Sequence, residues 1–138
     1  MKKVFMLAAV ALIAFACTKE QRAVNKLEGT WILDKIEESD GSVTVTDEDP
    51  NGEVTFNKCK LADEEFCSYS SSISYEAFGN TYEFSETGEY RVQDEEIQFR
   101  DDSEDTSYDV LKIETLKSKE LVVRQDDEDG YTKLYYSK

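Results

Sequence analysis

The run from Ser68 to Phe78, SYSSSISYEAF, decides the fold class of this chain. Tyr69, Ile73, Tyr75 and Ala77 lie at odd-numbered positions, and the residues between them are serines and one glutamate. Side chains of a strand point alternately to the two faces of a sheet, so this two-residue period predicts a strand with one dry and one wet face.

The same alternation recurs from residue 27 to the end of the chain, and no window shows sustained helical spacing. Short Gly-containing links, Glu86-Thr87-Gly88 and Asp129-Gly130, are typical of hairpin turns. The predicted strands are Gly29–Glu37, Gly52–Lys60, Ser68–Phe78, Thr81–Ser85, Glu89–Gln93, Ile97–Arg100, Ser107–Leu116, Glu120–Gln125 and Tyr131–Ser137.

An all-β domain over residues 27–138 follows from this pattern. Many short strands with one wet face each would leave exposed edges in a flat sheet, whereas a closed barrel removes the edges and encloses the dry face. We therefore expect an up-and-down antiparallel barrel of about eight to ten strands. A two-sheet sandwich is the alternative, disfavoured because the connections are short.

The N-terminal segment predicts export. Lys2-Lys3 precedes the apolar run Val4–Ala16, which is too short to span a bilayer as a helix and is typical of a secretory signal peptide over residues 1–16. Ala14-Phe15-Ala16-Cys17 resembles the lipobox of bacterial lipoproteins, in which the cysteine is acylated. Cleavage at the same bond without acylation is the alternative.

The interpretation of Cys17 as a lipid anchor gives three further expectations. Residues 17–26 become a lipidated N-terminus and tether. Thr18-Lys19-Glu20 resembles the short signal that sends lipoproteins of the Bacteroidetes to the cell surface, so we expect an outer-membrane lipoprotein, exposed at the surface. Of the three cysteines, lipidation leaves Cys59 and Cys67 as an even pair, which predicts a disulfide in an oxidising compartment.

Composition excludes several classes of function. Without the first 16 residues the chain has 14 Lys and Arg against 31 Asp and Glu, a net charge of −17, which argues against nucleic acid as a partner. There is no histidine, so catalytic triads that use histidine and zinc sites ligated by histidine are absent. Without histidine we expect no catalysis, and we expect no cofactor. We also expect no metal, since the acidic clusters match no calcium loop and are interpreted as solvated turns.

Lys26 to Leu33, KLEGTWIL, is similar to the G-x-W start of lipocalin and related calycin barrels. With the order of apolar residues from Tyr108 to Tyr136, the chain resembles the small lipocalin-like lipoproteins of Bacteroidetes. The resemblance implies a barrel whose tryptophan, Trp31, plugs the closed end. It also implies a stacking arginine, for which Arg124 is the nearest candidate, while Thr106-Ser107-Tyr108 matches a loop motif of the family in part.

The aromatic side chains of the dry face are the candidate ligand contacts. A barrel of eight strands is either filled by its own side chains or wide enough for one small ligand, and the sequence leaves both alternatives open. We expect a small apolar or amphipathic ligand; the alternative function is a protein-interaction module that recognises a basic protein partner through acidic loops. The candidate ligand contacts are Trp31, Phe56, Tyr75, Tyr82, Phe84, Tyr90, Phe99 and Tyr108.

Overall fold

The computed structural model describes residues 18–104 and 106–138. The predicted signal peptide, the predicted anchor Cys17, and Asp105 of an acidic loop lie outside the described residues. The elements are α1 (Lys19–Leu27), β1 (Gly29–Ser39), β2 (Thr44–Asp47), β3 (Asn51–Phe56), β4 (Cys67–Ala77), β5 (Asn80–Gln93), β6 (Glu96–Arg100), β7 (Asp109–Leu116), β8 (Glu120–Asp126) and β9 (Tyr131–Ser137).

Eight antiparallel strands form a closed barrel. They follow one another in the order β1, β3, β4, β5, β6, β7, β8, β9, and the sheet closes because β9 pairs with β1 from Ile32 to Ser39. The prediction of an all-β, up-and-down barrel is confirmed. We call the end where β1, β4, β6 and β8 finish the open end, and the opposite end, next to α1, the closed end.

Strand β2 is an additional strand that the sequence analysis missed. It pairs with Ile36–Ser39 of β1, while β3 pairs with Gly29–Ile32 along the same edge. The two strands are separated by Glu48-Asp49-Pro50, where proline has no N–H to donate to a ladder. No strand was predicted at Thr44–Asp47, and the residues that follow, from Asp47, were interpreted as an acidic loop.

The predicted hairpin turn at Glu86-Thr87-Gly88 is wrong. Strand β5 runs without interruption through these residues, and its residues from Asn80 to Tyr90 pair with β4. Gly88 is needed there for close packing, since a Cβ at this position would lie 2.6 Å from the carbonyl oxygen of Arg100. The glycine marks a close approach of two backbones, which sequence alone does not distinguish from a turn.

The segment predicted as a tether is largely helix α1, so the folded domain begins before the predicted boundary at residue 27. Thr18 caps the helix, with its side-chain oxygen accepting a hydrogen bond from the Gln21 N–H at 3.1 Å. Val24 and Leu27 are buried against the barrel. Two buried residues in nine do not form a visible helical period, but Thr18-x-x-Gln21 matches the pattern of a capping box.

Candidate ligand-binding site

The barrel interior contains a cavity of about 320 Å³ that lies toward the open end. This volume falls at the small end of the range of about 300–1,000 Å³ typical of small-molecule sites. Most of the wall is apolar and is supplied by inward-facing positions of seven strands. The apolar aliphatic and phenylalanine side chains that line it are Val54, Phe56, Ile73, Phe84, Ile97, Phe99, Leu111, Leu121, Val123 and Leu134.

Polar groups of the cavity concentrate near the strand ends at its mouth. Asp109 is the first residue of β7, Thr132 the second residue of β9, and Gln125 the last but one of β8. Glu86 and Asp109 are the two charged residues in the lining, which contains no lysine or arginine among the described residues. The site is therefore apolar in its depth and negatively charged at its entrance.

Three tyrosines add hydroxyl groups to the cavity wall. The Tyr75 hydroxyl donates a hydrogen bond to a carboxylate oxygen of Glu38 at 3.0 Å, and burial together with this bond raises the pKa of Tyr75. Burial, followed by the charge of Glu86, raises the pKa of Tyr69 and of Tyr136. These hydroxyls stay protonated at neutral pH, and the proton of Tyr75 is already donated to Glu38.

The closed end is sealed by Trp31. Its ring is fully buried, and its indole N–H donates to the carbonyl oxygen of Leu27 at 2.7 Å, which ties β1 to α1. The Nζ atom of Lys138 lies 4.3 Å from the ring centroid, just after the last barrel strand. Arg124, which the resemblance suggested for this stacking role, instead lies over the Tyr131 ring at 4.1 Å.

The structure brings half of the predicted ligand contacts to the cavity. Phe56, Tyr75, Phe84 and Phe99 line it. Tyr90 and Trp31 face inward but are completely buried, with the Phe56 and Tyr90 rings in edge contact at 4.9 Å.

The other two predicted residues lie outside the cavity wall. Tyr82 stacks on Tyr75 at 5.2 Å near the tip of the β4–β5 hairpin. Tyr108 precedes β7 and stacks on Phe66 at 5.9 Å, with the guanidinium of Arg91 4.8 Å from its ring centroid. Tyr108 therefore belongs to an aromatic and arginine cluster that is separate from the cavity.

Sequence reasoning missed the residues that make the cavity chemically distinctive. Glu86 was assigned to a turn, and Asp109 lies in the predicted strand Ser107–Leu116, where Tyr108 was taken as the inward-facing residue. Alternation with Phe84 would have placed Glu86 on the inward face, had β5 been recognised as continuous. Alternation with Leu111 places Asp109 on that face in β7.

Cys59 and Cys67 form the predicted disulfide at the closed end, with their Cα atoms 5.5 Å apart. Both residues are buried. The bridge encloses the loop that holds Leu61, whose backbone N–H donates to the side chain of Gln21 in α1 at 2.8 Å. The disulfide loop and helix α1 are thus linked to each other beneath the barrel.

Removing the disulfide with the double substitution Cys59→Ala/Cys67→Ala is expected to lower the free energy of unfolding by about 2.5 kcal/mol, the chain-entropy value for a loop this short. The barrel should still fold, because most of its buried core comes from other residues. Urea denaturation of the oxidised wild type and the variant measures the difference. Equal stabilities, or two free thiols in the unreduced denatured wild type, would contradict the prediction.

The sequence has acidic clusters at residues 47–49, 101–105, 126–129 and 94–96. The described residues of the first three lie at the open end. The connections there are Asp40–Val43, Glu48–Pro50, Phe78-Gly79, 101–108 and Asp127–Gly130, and none contains a lysine or arginine. The fourth cluster, Asp94-Glu95-Glu96, lies at the closed end, where Glu95 pairs with Lys19 at 2.9 Å. The cavity mouth is therefore surrounded by negative charge.

A second depression lies between α1 and the ends of β5 and β7. Its volume is about 550 Å³, but charged side chains of α1 such as Arg22 and Lys26, together with Glu95 and Glu114, form much of its wall. We favour the interior cavity as a ligand site because an apolar wall with a few polar groups is typical of such sites.

Two further observations concern the described residues alone. None of their helices has the length and apolar character required to cross a membrane. Within the same residues, no group of three or more Cys, Asp or Glu side chains is arranged to hold a metal ion.

Comparison with known proteins adds no relative. No protein-family model matches the sequence. No curated protein matches it either. The closed eight-stranded antiparallel barrel, sealed at one end by a tryptophan, is consistent with a calycin or lipocalin-like fold.

Proposed function

We propose that this chain is a lipid-anchored, extracytoplasmic binding protein that holds one small apolar or amphipathic molecule in its barrel and performs no catalysis. The observation that carries the proposal is the cavity of about 320 Å³ inside a barrel that could have been filled by its own side chains. Apolar depth combined with a polar mouth suits a molecule with an apolar body and one polar end.

The proposed location rests on the sequence and on the disulfide. A bridge between Cys59 and Cys67 is suited to an oxidising compartment outside the cytoplasm. The segment of residues 1–17 supplies the predicted signal peptide and acylated cysteine, and an outer-membrane lipoprotein exposed at the surface remains our proposal for where the barrel is held.

A second candidate function is display of the acidic loops to a basic protein partner. The gathering of three acidic clusters at one end favours it, because such a field attracts positively charged surfaces. This function needs no space inside the barrel, so the two candidates differ in whether the interior binds anything.

Filling the cavity with a larger side chain tests whether the barrel interior binds a ligand. Ser71 faces inward on β4 and lines the cavity, whereas Ser72, its neighbour, is exposed on the outer face. We expect wild type and Ser72→Trp to bind the neutral fluorescent probe 1-N-phenylnaphthylamine with similar affinity. Ser71→Trp should bind it at least about tenfold more weakly, a loss on the order of 1.4 kcal/mol.

Both variants should unfold cooperatively, since Ser71→Trp places its indole in existing space. Equal probe affinity for the two variants would contradict binding in the cavity. Absence of probe binding by the folded wild type would favour the second candidate function.

A further inference from the structure

The charged residues of the cavity lining are all acidic, whereas the outward face of the barrel carries both acidic and basic side chains. Glu86 and Asp109 supply the charge of the cavity lining. The basic side chains of the neighbouring strands point outward and are paired with acids. The outward pairs are Arg100 with Glu89 at 2.7 Å, Lys112 with Asp126 at 2.6 Å, Arg124 with Asp126 at 2.6 Å and Lys133 with Glu114 at 2.9 Å.

The two carboxylates belong to one polar region of the cavity. Both carboxylates line the same cavity as Tyr69 and Tyr136. After burial, the charges of Glu86, Asp101 and Asp109 raise the pKa of Tyr69, and that of Glu86 raises the pKa of Tyr136. An ionised carboxylate only accepts hydrogen bonds. The strongest complement to this region is consequently a group that is positively charged and donates several hydrogen bonds, such as a protonated amine.

The residues around the cavity mouth also favour a positively charged ligand. The connections at the open end contain acids and no lysine or arginine. A field of one sign around a cleft raises the local concentration of ligands of opposite charge and lowers that of ligands of the same charge. An anionic amphiphile, such as a fatty acid, is disfavoured both on approach and once bound.

We infer that the ligand is a cationic amphiphile, with its apolar body among Phe56, Phe99 and Leu134 and its protonated amine beside Glu86 and Asp109. This inference rests on the proposed function and specifies the class of molecule that the same cavity takes. Glu86 and Asp109 select for the charge of the ligand. The hydrophobic wall supplies the affinity that all amphiphiles of equal chain length share.

The test compares three probes with the same ten-carbon chain: decylamine, decanol and decanoate, each displacing 1-N-phenylnaphthylamine from the folded domain at neutral pH. We expect decylamine to bind about tenfold more tightly than decanol, and decanoate more weakly than decanol, as one or two partly exposed charge pairs would give. Decanoate binding as tightly as decylamine would overturn the inference and leave the proposed function standing. Failure of all three probes to displace it would overturn the inference, whereas a folded wild type that does not bind 1-N-phenylnaphthylamine at all would overturn the proposed function as well.

Variants separate the two carboxylates from the general negative field. Glu86→Gln/Asp109→Asn should weaken decylamine binding about tenfold, while decanol binding stays within about twofold. Glu83→Gln is the matched control, since Glu83 lies on the exposed outer face of the same strand. An equal loss for Glu83→Gln, or no loss for the double variant, would overturn the assignment of Glu86 and Asp109.

Discussion

Replacing Trp31 with alanine is expected to lower the free energy of unfolding by about 3–5 kcal/mol, the usual cost of deleting a buried aromatic side chain. The ring is completely buried, and its indole N–H donates a hydrogen bond to the carbonyl oxygen of Leu27 at 2.7 Å. The ammonium of Lys138 lies over the ring. Removing it opens a void between α1 and β1 and leaves the Leu27 carbonyl without its donor. In a domain with about 5–15 kcal/mol of total stability, this loss is large.

Urea denaturation with two companion variants measures the effect. Trp31→Phe retains much of the apolar volume but not the N–H donor, so we expect an intermediate loss and a folded protein. Ile32→Ala changes the next residue, which is 49% exposed, and should cost about 0.5 kcal/mol or less. A Trp31→Ala variant as stable as Ile32→Ala would show that the closed end does not depend on the plug.

Cys17→Ala is expected to move the exported protein from the membrane fraction to the soluble fraction. The apolar segment Val4–Ala16 is predicted to be removed on export, which leaves the acyl chains on residue 17 as the strong anchor. Membrane attachment through acyl chains scales with buried methylene groups, so their loss is close to all-or-none.

The matched control is Cys59→Ala/Cys67→Ala, which removes the other two cysteines and should remain in the membrane fraction. Fractionation by sedimentation, with processing checked by the mass of the mature chain, decides the result. A Cys17→Ala protein that is cleaved at the same bond and still sediments with membranes would contradict the lipoprotein interpretation.

The alternation of residues predicted the fold because it follows from strand geometry alone. In Ser68–Phe78, Tyr69 and Tyr75 are buried while Ser70 and Ser72 are exposed, as a two-residue period requires. The prediction failed where the same local sequence is compatible with two different structures. Gly88 serves a close approach to Arg100 and not a turn, and Val24 and Leu27 form too short an apolar pattern to indicate α1.

Only part of the candidate site was predicted from the sequence, and the reason is geometric. Alternation assigns a residue to a face, but its height along the barrel axis depends on strand register, which the sequence does not specify. Tyr90 and Phe84 lie on the same face of β5, yet Tyr90 is fully buried and Phe84 is 53% exposed at the cavity mouth. Tyr108 lies in a loop, where alternation has no meaning.

The contact that supports Trp31 shows the limit of a resemblance. Arg124 lies on the outer face of β8, bonded to Asp126 at 2.6 Å, and cannot reach the closed end. Lys138 follows β9 and lies over the Trp31 ring, with its ammonium also donating to the carbonyl oxygens of Lys26 and Glu28. Burial lowers the pKa of Lys138, as expected for an ammonium held between α1 and the plug.

The central claim, that the barrel interior holds a ligand, is tested most directly by native mass spectrometry of the protein purified from its own host. We predict that wild type and Ser72→Trp retain one small compound per chain, which denaturation releases, and that Ser71→Trp carries none. A wild-type spectrum with the bare chain alone, or the same bound compound in Ser71→Trp, would contradict the claim.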